Sequence, residues 1–250
     1  MSEQEMGANL AKYRALDTLD ELLEAHRAAV ESIRIVSRSE GFPDQLVVAM
    51  QTYYSFDPHK NEECKRRVLT NIDRAKKFNR EDFFYQRRML LIALCGLLDV
   101  AIKDVVAEKW AKDSHPLPKL PREFQREIER ILGKVPSASR TEEIFSFVDH
   151  HFRRVKETKK RNHAERFRYW LSLVDEEPPS NADEDLIINH VFHVRNLAIH
   201  RSESARKILA TENSSFWDQH KGEIRLGQKE ITRCAESFRR FIAGIGFANL

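Results

Sequence analysis

Glycine is scarce in this chain, eight in 250 residues, which is about half of the ~7% average usage. Alternating Val and Ile are almost absent as well. Both shortages argue against a sheet-rich protein and for an all-α one, a helical bundle. Cysteine is scarce too. The three cysteines, Cys64, Cys95 and Cys234, have neither metal-ligand spacing nor the density of a secreted disulfide framework, so the expected setting is a reducing cytoplasm. Long hydrophobic runs are missing: the longest, Met89 to Leu98, is about half of what a bilayer requires and ends at Asp99. The opening Met-Ser-Glu-Gln-Glu lacks a charged n-region and an apolar h-region, so no signal peptide is expected. A soluble chain without a membrane partner is the expectation. Nor does one sign of charge dominate: 42 basic and 39 acidic residues leave +3, which by itself names no partner.

What the chain does have is helical periodicity. Leu16, Leu19, Leu23, His26, Val30 and Ile33 alternate three and four apart, which predicts an amphipathic helix over 9–38, stopped at Gly41-Phe42-Pro43. Residues 44–78 read as two helices around the turn Ser55-Phe56-Asp57-Pro58. Asp82 to Lys112 is apolar on most faces, as a central buried helix should be. A rigid connector from His115 to Pro121 leads to a short helix ending near Gly133, and Ser139 with Glu142 has the spacing of a capping box. Glu177-Pro178-Pro179-Ser180 breaks the chain before a helix from Asn181 to about Arg201, with Glu184 as a capping partner. A short strand-like piece between Gly222 and Gly227 precedes a closing helix, 228–245. The expected organisation is a helical extension over 1–78 and a helical domain over 79–250.

Charge is concentrated between His150 and Arg168, where eight Lys and Arg face two Glu. Arg153, Arg154, Lys156, Lys159, Lys160, Arg161, Arg166 and Arg168 are candidate phosphate contacts for RNA, and Phe167, Tyr169 and Trp170 are candidate stacking groups. The alternative is a solvated face whose aromatics turn into the core.

The most informative stretch is Val191-Phe192-His193-Val194-Arg195-Asn196-Leu197-Ala198-Ile199-His200-Arg201. On a helical wheel Asn189, His193, Asn196 and His200 form a polar stripe, while Arg195 lies within an apolar arc about 140° from His200. Bringing Arg195 and His200 to one ligand therefore requires a helix break, an arginine curling across, or a second protomer covering the arc around Ile188, Phe192 and Ile199. His190, His193 and His200 have no suitably spaced carboxylate or Cys, and no metal is expected.

The Arg195-Asn196-x-x-x-His200 element, late in a helical chain, resembles the HEPN superfamily of small all-helical domains, over roughly residues 80 to 250. That resemblance implies a metal-independent endoribonuclease, without a cofactor, that acts as a toxin or defence effector. It also implies a homodimer with a composite cleft, an antitoxin or regulatory protein as a further partner, and an acidic residue on the central helix, for which Asp99 is the nearest match. In such chemistry a His serves as base near neutral pH, an Arg meets the developing phosphorane charge, and Asn196 holds a phosphate oxygen or fixes the imidazole tautomer. Two alternatives stay open. Arg195 has a purely structural reading, paired with a buried carboxylate, and the domain has a non-catalytic one, binding RNA, a nucleotide or a protein partner.

Overall fold

The computed structural model describes residues 3–38, 45, 48, 58–81, 83–112, 121–152 and 162–246. Among these residues the chain forms nine α-helices and almost no strand, an all-α bundle. The helices are α1 (Glu3–Arg38), α2 (Pro58–Arg80), α3 (Phe84–Lys112), α4 (Arg122–Lys134), α5 (Arg140–His151), α6 (His163–Ser172), α7 (Ala182–His200), α8 (Glu203–Thr211) and α9 (Gln228–Ala243). The strand-like piece is realised as a minimal antiparallel pair, Trp217–Asp218 with Glu223–Ile224. Gly222, at φ 65°, supplies the left-handed turn between them. The 44–57 segment with its proposed turn, and the connector from His115 to Leu120, lie outside the described residues, apart from Gln45 and Val48.

Two compact units result. One comprises Met1–Glu21 and Leu91–Leu250, the other Leu22–Leu90. The beginning of α1 belongs with the C-terminal unit for specific reasons: Ala11, Ala15 and Leu19 are buried, Lys12 Nζ donates to the Ile245 carbonyl at 3.0 Å, and Arg14 and Asp20 pair with Glu108 and Arg239. Within this unit α3 is the central helix. Leu91, Leu94, Leu98, Ile102, Val105 and Val106 are inaccessible, as a helix apolar on most faces should be. Trp110 packs on Trp170 of α6, with ring centroids 6.1 Å apart. Lys103 joins Asp149 of α5 at 2.7 Å.

In the Leu22–Leu90 unit, Val30, Val68, Ile72, Ala75, Phe83 and Leu90 are buried, and Arg34 lies over the Phe83 ring at 5.4 Å. His26 stands on the inner stripe of α1 with Nε2 buried and without a partner among the described residues. Burial, reinforced by the Arg87 charge, holds its pKa below the usual imidazole value.

The capping residues correct one sequence reading. Ser139 makes no side-chain cap bond, because it ends a 3-10 turn at φ −108°, ψ −1°, and an N-cap needs extended backbone. The capping box forms instead at α6, where the Glu165 N–H donates to Asn162 Oδ1 at 2.9 Å and the Asn162 N–H donates to Glu165 Oε2 at 3.2 Å.

Candidate functional site

The motif helix α7 is fixed first at its N-terminus. Asn181, in extended backbone, accepts from the Asp183 and Glu184 N–H groups, capping the helix as its sequence predicts. Glu184 closes no box; it is buried and accepts from Arg240 Nε of α9 at 2.5 Å. Asp185 is gripped by Arg168 of α6, through Nε at 3.0 Å and Nη2 at 2.8 Å. Arg168 Nη1 also donates to the Pro178 carbonyl at 2.6 Å, and Nη2 to that of Pro179 at 3.2 Å.

This clamp removes Arg168 from the set of candidate RNA contacts: it is 8% exposed and all three guanidinium nitrogens are engaged within the protein. Phe167 and Trp170 are likewise core residues rather than stacking groups, 1% and 0% exposed, with Trp170 Nε1 donating to the Phe152 carbonyl. Arg166 and Tyr169 are half-buried. Arg153, Arg154, Lys156, Lys159, Lys160 and Arg161 lie outside the described residues.

The helix α7 then runs unbroken to His200 and ends at once, with Arg201 left-handed at φ 49°, ψ 39°. A helix break is therefore not what joins the motif. The Arg195 side chain turns toward Asn196, where Nη1 donates to Asn196 Oδ1 at 3.3 Å. Arg195 is half-buried and has no carboxylate partner among the described residues. Asn196 is half-buried beside it, and His200 is exposed one turn further on. With Oδ1 accepting from Arg195, the Asn196 NH₂ group is left to donate.

The apolar arc is already covered by the chain itself. Ile188 and Phe192 are 0% and 2% exposed, and Phe192 lies against His163, Phe167 and Phe238. Only Ile199, 42% exposed, remains of the surface invoked for a second protomer. Asp99 sits on α3 in an ion pair with Lys103 at 2.5 Å, and Lys103 also bonds Asp149. The Cys95 thiol, one turn before Asp99, is pushed up chiefly by burial and feels the opposed charges of Arg195 and Asp99.

Further up the polar stripe, Asn189 accepts from the Ala164 N–H at the start of α6. His163 stacks on Phe192 at 4.5 Å and meets His193 edge-on at 6.0 Å. Buried His190 bonds Glu212 through Nε2 at 2.8 Å. Burial lowers the pKa of His193, with His190 adding to the shift and Glu212 opposing it. Sequence reading missed the roles of His163 and Glu212, which are distant in sequence from the motif. It also missed α8, which packs on α7.

No protein-family model, curated protein or solved structure matches this chain. Among the described residues no group of three or more His, Cys, Asp or Glu side chains is placed to hold a metal ion, and no helix is long and apolar enough to cross a membrane.

Proposed function

We propose that this chain is a metal-independent endoribonuclease of HEPN type, with Arg195, Asn196 and His200 as its reacting set. The observation that carries the reading is the state of Arg195: a half-buried guanidinium with no carboxylate partner among the described residues, turned onto Asn196 toward the side of the helix that ends in exposed His200. A structural arginine in such surroundings is normally paired. Here most donors of the planar fork are left for a ligand, and phosphate is the group that fork fits.

In the proposed reaction His200 takes the proton of a ribose 2′-OH, whose oxygen attacks the adjacent phosphorus. The bond to the 5′-oxygen breaks, that oxygen takes a proton from solvent, and a 2′,3′-cyclic phosphate and a 5′-hydroxyl are left. Arg195 faces the negative charge that builds on the phosphorane oxygens, and the Asn196 NH₂ group donates to one of them. Asp99 is the acidic partner on the central helix, acting through Lys103 and the local field rather than by direct pairing with Arg195. The basic run 153–161, together with Arg166, holds the strand. By the family likeness the protein works in the cytoplasm as a toxin or defence effector, forms a homodimer, and is restrained by an antitoxin or regulatory protein.

The test is incubation of total RNA with the wild type beside His200→Ala, in excess chelator, with mass spectrometry of the ends. Cleavage by the wild type alone, leaving 2′,3′-cyclic phosphate, is the expected result. Ends bearing a 3′-hydroxyl, or activity lost to chelator and restored by metal, overturn the mechanism. RNA bound but left intact by the wild type assigns the chain to the non-catalytic alternative.

A further inference from the structure

The second strongly basic element of the molecule is α2. Over Pro58–Arg80 it holds eight Lys and Arg against three acidic residues, a net +5. The order of these residues looks unremarkable in sequence but not on the helix. Val68, Ile72 and Ala75 are buried on one side. Arg66, Arg67, Arg74, Lys77 and Arg80 fall on the opposite side, within about 70° of its centre line, and all are exposed.

Two cations of the row are paired, and Arg66, Arg74 and Arg80 are not, among the described residues. Arg67 pairs with Glu63 at 2.5 Å and Lys77 with Glu81 at 3.8 Å. Lys65, Arg66, Arg74, Lys76 and Arg80 have no carboxylate partner among the described residues. From Arg66 to Arg80 the row extends about 21 Å at 1.5 Å per residue, enough for several phosphates of one strand. Two surface grooves share Arg66 and Thr70; one is lined by Arg67 and Arg74, the other by Lys65 with the acidic Glu63 and Asp73.

We propose that the outer face of α2 is a docking surface for the phosphate backbone of RNA. Charge complementarity selects a polyanion, and the arginines in the row present the forked donors that phosphate accepts. A lipid surface fits less well. Helices that lie on membranes sink their apolar face into the acyl boundary, and the apolar face of α2 is taken up by Val68, Ile72 and Ala75 inside the protein. The proposal rests on the ribonuclease reading only for the choice of RNA as the polyanion. It concerns binding, not cleavage.

The experiment titrates the wild type into a short fluorescein-labelled RNA oligonucleotide of mixed sequence, 2′-O-methylated throughout so that no 2′-OH attack occurs. Anisotropy is followed from low to physiological salt. The combined variant Arg66→Gln, Arg74→Gln, Arg80→Gln is compared with a charge-matched control, Lys134→Gln, Lys207→Gln, Lys229→Gln, whose lysines are exposed elsewhere. Circular dichroism checks that both variants stay folded. Expected is a loss of up to about 2 in the slope of log Kd against log salt for the α2 variant, at about 0.7 per lost contact to a single strand. A drop in affinity of at least tenfold at low salt accompanies it, and the control keeps the wild-type slope.

Unchanged slope and affinity in the α2 variant overturn the proposal. An equal loss in the control also does so, because net charge alone then explains the binding. Preference for phosphatidylserine vesicles over RNA would overturn it as well. The two readings fail separately: α2-dependent binding without cleavage of ordinary RNA sinks the ribonuclease reading alone, and cleavage with binding indifferent to α2 sinks only the docking surface.

Discussion

Arg168 on α6 and Arg195 on α7 project from neighbouring apolar helices and are handled in opposite ways. Arg168 is 8% exposed and gives its donors to Asp185 and to the Pro178 and Pro179 carbonyls, with Phe241 beneath the guanidinium at 5.3 Å. Arg195 is more open and, among the described residues, makes one side-chain hydrogen bond, to the side chain of the next residue. The first arrangement joins the breaker segment, α6 and α7. The second fastens nothing that a neighbouring element does not already hold. Residue type therefore does not separate a clamped arginine from the one proposed to meet RNA; the number of donors already spent is the sharper difference.

The largest expected effect is on cleavage. Arg195→Ala and His200→Ala should each lower it by at least about 100-fold, the lower bound for removing a positioned proton-transfer group or a charge that meets the transition state. A single-turnover assay on labelled RNA checks this, and full activity in either variant moves the site elsewhere. Next in size is the clamp. Arg168→Ala leaves Asp185 and two carbonyls without their partner, and should cost about 3–5 kcal/mol of stability, as for other broken buried pairs. Chemical denaturation measures it. A loss below about 1 kcal/mol would erase the contrast between the two arginines.

A smaller effect sharpens the same contrast. Arg195→Ala should change stability by no more than about 0.5 kcal/mol, the range of side chains whose removal opens no cavity and strands no partner. If it unfolds the protein as Arg168→Ala does, both arginines are structural.

The smallest effect is on pH dependence. His26 and His193 are held below the usual imidazole value of 6.5, each mainly by burial. Between that value and their lower folded ones, the unfolded chain binds more protons than the folded chain. Stability is therefore full above the unfolded value and declines as pH falls toward the folded ones. Melting at about pH 5.5 should occur below that at about pH 7.5, and His26→Gln with His193→Gln should flatten the difference. Asp104 and Glu108, raised by burial, act with the opposite sign, from the carboxylate range upward.

Much of the helical fold was legible because periodicity is local. The stripe of α1, the apolar α3 and the Asn181 cap each follow from spacing within one element. The pairing of helices was not legible in the same way. Arg168 was indistinguishable from its basic neighbours, because its partners are Asp185 and two carbonyls beyond a double proline. The capping box at Asn162 was hidden inside a run whose charge drew attention first. Ile188 and Phe192 belonged to a visibly apolar arc, but whether α6 and α9 or a second chain covers them is a tertiary fact. At the site, Arg195, Asn196 and His200 could be named from the motif, whereas the continuity of α7 to His200 and the bond from Arg195 to Asn196 depend on how the chain packs.

The two ends of α7 are secured very differently. The first turn carries the Asn181 cap, the Arg240 contact and the Arg168 clamp, while the last turn ends in exposed His200 and a left-handed Arg201. The helix is a beam clamped at one end, with its proposed chemistry near the tip. Amide hydrogens should accordingly exchange slowly near Ile187 and Ile188 and fastest in the final turn. A strand that bridges Arg195 and His200 would act as the missing second support, slowing exchange at the tip while leaving the clamped end unchanged.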